Sequence, residues 1–226
     1  EIVFQVGSDL VLYNLASNQT QVVNVVIPTD RPTLRAKMVD FSEYISDGEI
    51  SPTGKQAVVE ARGDIWTIPA ESDKGITRNL TRTSGVAERD PLWSPDGRWI
   101  AYLSDESGEY EIYLMQSDGK GETRKLTSDN DGWRYMRTFT PDSKHIVYSD
   151  KAGNVFLLEI ESGETKKMFT DVWAQTPSIS ISGDSAWIAT SLMLETGTSA
   201  IYLYNIEEDA LHQVTEGFFN AKSPVF

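Results

Sequence analysis

Asp90-Pro91-Leu92-Trp93-Ser94-Pro95-Asp96-Gly97-Arg98-Trp99-Ile100-Ala101-Tyr102-Leu103-Ser104-Asp105 condenses one strand, one tight turn and a second strand. Pro91 can open a strand but not sit inside one. Ser94-Pro95-Asp96-Gly97 puts proline where φ of about −65° is wanted and glycine where the chain reverses. This reads as a hairpin. Beyond the turn Trp99, Ala101 and Leu103 alternate with Ile100, Tyr102 and Ser104. Neither set is charged, so this strand is expected to be covered on both faces.

The hairpin recurs. Positions equivalent to Trp93 are Ile50, Phe139, Ile181 and Phe226, a period of roughly 42 to 46 residues and therefore a repeat architecture. The turns after the first four are Ser51-Pro52-Thr53-Gly54, Ser94-Pro95-Asp96-Gly97, Thr140-Pro141-Asp142-Ser143 and the degenerate Ser182-Gly183-Asp184-Ser185. Second strands follow at Gln56–Glu60, Trp99–Leu103, His145–Ser149 and Trp187–Ser191. Third strands follow at Asp64–Ile68, Glu111–Met115, Asn154–Leu158 and Ala200–Tyr204, with Trp66, Tyr113, Phe156 and Tyr202 at one shared position. The fourth and most polar strand ends in Leu80-Thr81, Leu126-Thr127, Phe169-Thr170 or Val214-Thr215. An apolar first strand and a charged last one suit a radially arranged four-stranded blade, whose outer edge alone meets water. The expected fold is therefore all-β, a β-propeller of four-stranded antiparallel blades with about five blades present. The blades are placed at 1–28 together with 223–226, 47–81, 88–127, 135–170 and 177–215.

At the ends, Glu1–Val6, Asp9–Leu15 and Gln21–Val26 supply strands two to four of a blade without its first strand, and Ser223-Pro224-Val225-Phe226 reads as a first strand with no successor. Either these ends share one blade and close a five-bladed ring, or the segment is an arc of a larger ring with its termini far apart. Glu1-Ile2-Val3-Phe4 carries neither an initiator Met nor a basic, apolar leader, so the chain is expected to be part of something longer. An insertion at 29–46, with Pro28 and Pro32 at its start, breaks the period and is expected to be a surface loop.

Composition excludes several classes. With 226 residues and 39% hydrophobic content the chain can build a real core. Its formal charge of −14 repels nucleic acid and anionic membranes, so neither is expected as a partner. Cys 0 removes disulfides, thiolate zinc sites and thiol nucleophiles. No apolar run reaches the ~18 residues that span a bilayer.

Chemistry is sparse. The only histidines, His145 and His212, both fall in repeat strands, and His145 takes the slot of Trp99 and Trp187. Ser94 is explained by its turn, and neither a Gly-x-Ser-x-Gly elbow nor a phosphate loop occurs. Asp129-Asn130-Asp131-Gly132 begins like a calcium loop, but Thr140 stands where the bidentate Glu is needed. Asp105-Glu106-Ser107-Gly108-Glu109 is a second acidic loop, and solvated turns account for both. The recurring aromatics read as blade packing rather than a ligand cage. No catalytic, cofactor-binding or metal-ligating residue is therefore assigned, and no cofactor is expected.

The run from Arg78 through Asp90 into Trp93-Ser94-Pro95-Asp96-Gly97 and Tyr102–Tyr110, with Asp64–Ala70, resembles the tricorn-type serine peptidases, especially their bacterial members. The turn alone would indicate only the broad class that includes TolB and the prolyl-oligopeptidase propellers. The resemblance covers essentially the whole chain and is to the second, seven-bladed propeller, which favours the open arc. It implies a non-catalytic module that gates or routes peptides through an axial channel to a serine peptidase core outside this segment. The partners implied are peptide substrates and the remaining domains of the parent chain, with further copies in a homo-oligomer as an open option. Bacterial relatives generally carry export signals, so a periplasmic or secreted location is expected, with the cytoplasm as the alternative. The other functional reading is a stand-alone TolB-like scaffold that binds a protein partner, and a third is the propeller of a prolyl-oligopeptidase-type enzyme.

Overall fold

The computed structural model describes residues 1–26, 40–71, 73–128, 132–173 and 178–226, which fall into two compact units, Glu1–Asp40 and Phe41–Phe226. In the first unit β1 (Ile2–Val6), β2 (Asp9–Asn14) and β3 (Gln19–Val23) form an antiparallel sheet in chain order. It is three-stranded, as expected of a blade without its first strand. Asn14 Oδ1 accepts the N–H groups of Ala16 and Ser17, which closes the β2–β3 turn through a side chain.

The second unit holds four antiparallel four-stranded sheets, each in simple chain order. The first comprises β4 (Ile45–Ile50), β5 (Gln56–Ala61), β6 (Asp64–Pro69) and β7 (Arg78–Asn79). The second comprises β8 (Glu88–Trp93), β9 (Trp99–Ser104), β10 (Glu111–Gln116) and β11 (Arg124–Lys125). The third comprises β12 (Arg134–Phe139), β13 (His145–Asp150), β14 (Asn154–Glu159) and β15 (Thr165–Thr170). The fourth comprises β16 (Ile179–Ile181), β17 (Trp187–Met193), β18 (Ser199–Asn205) and β19 (Ala210–Gln213). First strands approach one another, β8 lying against β4 and β12 against β8. Among the described residues no helix is long and apolar enough to cross a membrane.

The core lies between sheets. Val58 and Ile65 of the first meet Trp93, Ile100, Tyr102, Tyr113 and Met115 of the second. Leu103, Ile112 and Leu114 continue into Phe139, Ile146 and Leu158, and Val147 and Leu157 into Ile188 and Tyr204. Each such side chain, fully buried, contributes roughly 1.5–3 kcal/mol. Both faces of β9 are covered, as its uncharged alternation predicts, and those of β10 are covered up to Met115. The shared aromatics pack as expected: Tyr113 stacks on Tyr102, Phe156 on Tyr148 and Trp66 on Phe41.

The first turn of the second, third and fourth sheets is locked by one recurring device. Ser94, Thr140 and Ser182 donate to Asp96, Asp142 and Asp184, and the same hydroxyls accept the N–H of Trp99, His145 and Trp187. A second link joins successive sheets. The Asp96 N–H donates to Ser143 Oγ at 3.0 Å and the Asp142 N–H to Ser185 Oγ at 3.1 Å. Both serines sit at positive φ, +59° and +60°, where glycine is easier. The turn that looks degenerate in sequence is thus one in which a hydroxyl, and not conformational ease, is needed. Ser143→Ala, which keeps the strained backbone and removes the bond, should destabilise by about 1 kcal/mol. Ser143→Gly, which relieves the strain, should be closer to neutral. Chemical denaturation of the two variants separates these effects.

A threonine two residues beyond the fourth strand is the other recurring clamp. Thr81, Thr127 and Thr215 hydroxyls accept the N–H groups of Ile65, Ile112 and Ile201, where the short fourth strands supply few ladder bonds.

Three expectations meet a different structure or lie outside it. Ser223–Phe226 forms no strand: Pro224 has no N–H, and the Phe226 N–H donates to the Ser180 side chain at 3.1 Å instead of entering a ladder. β4 begins at Ile45, inside the predicted insertion 29–46, while residues 29–39 of that insertion lie outside the described residues. Ile50 shares the register of Trp93 but is 71% exposed, because β4 opens the second unit and no earlier sheet of that unit covers it.

Candidate functional site

Three first strands carry a β-bulge near their beginning. The ladder skips Ser46 in β4, Asp90 and Pro91 in β8, and Arg137 in β12. A bulge leaves a residue out of the ladder and re-aims its side chain. Asp90 also has φ of +50°, a left-handed conformation uncommon outside glycine, asparagine and aspartate and disfavoured before a proline such as Pro91. Carboxylates of the preceding sheet hold this strained backbone. Glu60 Oε2 accepts the Asp90 N–H at 3.3 Å, and Glu49 accepts the Trp93 N–H, so the free edge of β8 is satisfied by side chains.

The bulges border a cluster of arginines and aromatic rings. The Arg89 guanidinium lies 4.6 Å from the Trp133 ring centre and 5.6 Å from that of Tyr110. Those two rings meet edge to face at 5.0 Å, and Trp133 meets Tyr135 at 6.4 Å. Arg137 lies 5.5 Å over the Tyr135 ring, while its Nε and Nη2 both donate to Ser149 Oγ. Trp133 and Tyr135 remain 36% and 40% exposed, so the cluster is open to solvent.

Its charges are strained by partial burial. Burial raises the Asp90 carboxyl above the usual range, Arg89 beside it opposes the shift at 3.5 Å, and Asp47 and Glu60 add to it. Burial lowers the Arg137 pKa against the opposing pull of Tyr135 and Asp90. Glu49 is raised by burial, with its bond from the Trp93 N–H opposing and Asp47 reinforcing. Planar cations, open rings and a poised carboxyl can stack on and hydrogen-bond an extended chain. Trp, Tyr and Arg are also the residues that dominate binding hot spots.

The sequence candidates lie elsewhere. His145 is half-buried, and His212 is exposed in β19 opposite Leu203. Ser94 is fully buried with its hydroxyl committed to the turn. Asp105 accepts the Ala87 N–H at 2.8 Å, which makes it a structural group. Asp129, Asn130 and Asp131 lie outside the described residues, and among the described ones no three acidic or histidine side chains are grouped to hold a metal. Sequence reasoning missed Arg89, Trp133, Tyr135 and Arg137. A signal was present, since Trp133, Tyr135 and Arg137 alternate along the chain into β12 and Asp90 precedes a proline.

A cavity of about 610 Å³ opens on the side of the first turns, beside Thr53, Lys55, Lys74, Trp93, Gly97 and Ser117. Gly97 occupies there the position that Ser143 and Ser185 take in later turns, so the hydroxyl link between sheets is missing at this junction.

The family described as the tricorn protease second beta propeller domain matches residues 45–226. The chain is 25% identical over 201 residues to tricorn protease homolog 1 of Streptomyces coelicolor, covering 87% of this chain and 19% of that protein. Among solved structures the tricorn protease superposes with a TM-score of 0.71 at 16% identity, covering 96% of this chain and 21% of that one. A putative TolB from Agrobacterium tumefaciens superposes with a TM-score of 0.60 at 19% identity, covering 96% and 72%. These two likenesses concern the fold.

Proposed function

Since the chain belongs to the tricorn protease second β-propeller domain family, we propose that it is a non-catalytic propeller module that receives peptides and routes them to a serine peptidase core outside these residues. The arginine–aromatic cluster around Arg89, Trp133 and Tyr135 carries this reading. It offers sequence-tolerant contacts: rings stack on side chains and peptide planes, and guanidinium groups donate to carbonyls and carboxylates. Selection is steric and electrostatic, and bond cleavage belongs to another part of the parent protein. Export to the periplasm belongs to the same proposal.

Binding of fluorescently labelled unstructured peptides to this chain tests the proposal. Trp133→Ala should weaken binding roughly tenfold or more, as removal of a hot-spot aromatic does. The bound peptides should remain intact on long incubation. Unchanged affinity, or cleavage abolished by a Ser or His substitution within these residues, would overturn it. The second reading is a TolB-like scaffold, with the fold superposing over 72% of the putative TolB chain. Under it the same surface would bind a folded protein and ignore extended peptides.

A further inference from the structure

Equivalent junctions between sheets carry different charges. Where the second sheet meets the third, Glu111 at the head of β10 faces Arg134 at the head of β12, with Oε2 and Nη1 3.2 Å apart and both side chains buried. Thr127 completes this site by donating to Glu111. Where the first sheet meets the second, Asp64 heads β6 in the place of Glu111, and Glu88 heads β8 in the place of Arg134. An acid thus replaces the cation. Glu88 is 2% exposed; its Oε1 accepts from Thr83, and its Oε2 has no hydrogen-bond partner. A buried carboxylate with an unsatisfied oxygen and acidic neighbours is a costly arrangement, which a proton relieves.

We infer that Glu88 is a proton-operated clasp between the first two sheets of this unit, closed when its carboxyl is neutral and loosened when it ionises. The groups around it fit that role. Asp64 on β6 and Asp105 after β9 add negative charge, and Tyr102 on β9 is a neutral phenol whose own ionisation Glu88 disfavours. The Thr81 hydroxyl favours the charged form, but the proton it carries is directed to Asp64 Oδ1. Burial is the largest influence and raises the Glu88 pKa from 4.5; the Thr83 and Thr81 hydroxyls oppose it, and the two aspartates reinforce it. Thr81 Oγ1 already accepts the Ile65 N–H at 3.1 Å and reaches Asp64 Oδ1 at 3.5 Å. A proton on Glu88 Oε2 extends this chain from sheet to sheet. The backbone bond it protects is Glu88 N–H to Gly63 C=O, 2.8 Å, which ties β8 to the β5–β6 hairpin.

The sign follows from proton uptake. Above 4.5 the folded state binds more protons than the unfolded one, so stability falls as pH rises through the raised folded value and then levels. Glu88→Gln copies the neutral carboxyl and removes that slope. Thermal unfolding of the chain from pH 5 to 8 should show the Gln variant gaining on the native protein as pH rises. The gap should widen by about 3–5 °C for each unit of displacement. Asp64→Asn, which removes one repelling charge, should narrow the gap. Parallel profiles for native and Glu88→Gln would overturn the inference. Should Glu88→Gln not fold, amide exchange in the native chain serves instead. Protection of the Glu88 N–H, corrected for intrinsic rate, should decline with pH more steeply than that of the Ile112 N–H, and equal declines would overturn the inference.

Discussion

Trp93→Ala should lower unfolding stability by about 3–5 kcal/mol, the range for large aromatic truncations in packed cores. Trp93 ends β8, is 6% exposed and packs with Val58 and Ile65 of the preceding sheet. Alanine there opens a void between two sheets that are each pinned by their own ladders and cannot collapse to fill it. The indole N–H bond to the Gly97 carbonyl, 3.2 Å, is lost as well, and that carbonyl keeps only its bond from the Ser117 hydroxyl. Asp96→Ala, in the adjoining turn, should cost only about 1 kcal/mol, since its carboxylate works at the surface. That smaller effect has a pH signature. Burial pushes the Asp96 carboxyl up, but bonds from Ser94 and Arg98 together hold it below 3.8. Its contribution is therefore present above the ordinary carboxylate value and disappears as pH falls through the lowered one. Urea midpoints rank the two variants, and the opposite order would mean that strand and turn have been exchanged.

The second large effect is expected at the Glu111–Arg134 pair. Arg134→Ala should cost about 3–5 kcal/mol, because it strands the Glu111 carboxylate, 0% exposed, in a site built around a guanidinium. Arg134 is also held through its bond to the Tyr110 carbonyl and its position over the Tyr148 ring. Glu111→Leu combined with Arg134→Met should recover much of the loss, since desolvating both charges offsets most of their attraction. Calorimetric or denaturant-derived stabilities for the four corners of this cycle give the coupling directly. A coupling near zero would show that the pair behaves as an exposed one.

These expectations divide by how far apart in the chain their causes lie. Strands and turns were legible because their signals are local. Pro95 and Gly97 mark a reversal over four positions, and the uncharged alternation from Trp99 to Ser104 requires cover on both faces wherever the strand is placed. The incomplete first blade was legible for the same reason, and the failure of Ser223–Phe226 to form a strand was not, because a ladder needs a neighbour that the segment's own residues do not specify.

The repeat of roughly 42 to 46 residues, and with it the all-β sheet order, was thus decided by the sequence itself, since side-chain alternation and turn chemistry act within a few residues. Only the tertiary structure decided what meets across the seams. Whether a buried Glu faces an arginine, as at Glu111, or further acid, as at Glu88, depends on the register of one sheet upon the next. The Asp96–Ser143 link and the gathering of Arg89 with Trp133 depend on it equally. The bulges at Asp90 and Arg137, which take those residues out of their ladders, shape the arginine–aromatic cluster in the same way. Such contacts join residues of different blades, and no periodicity along a single strand carries the information that brings them together.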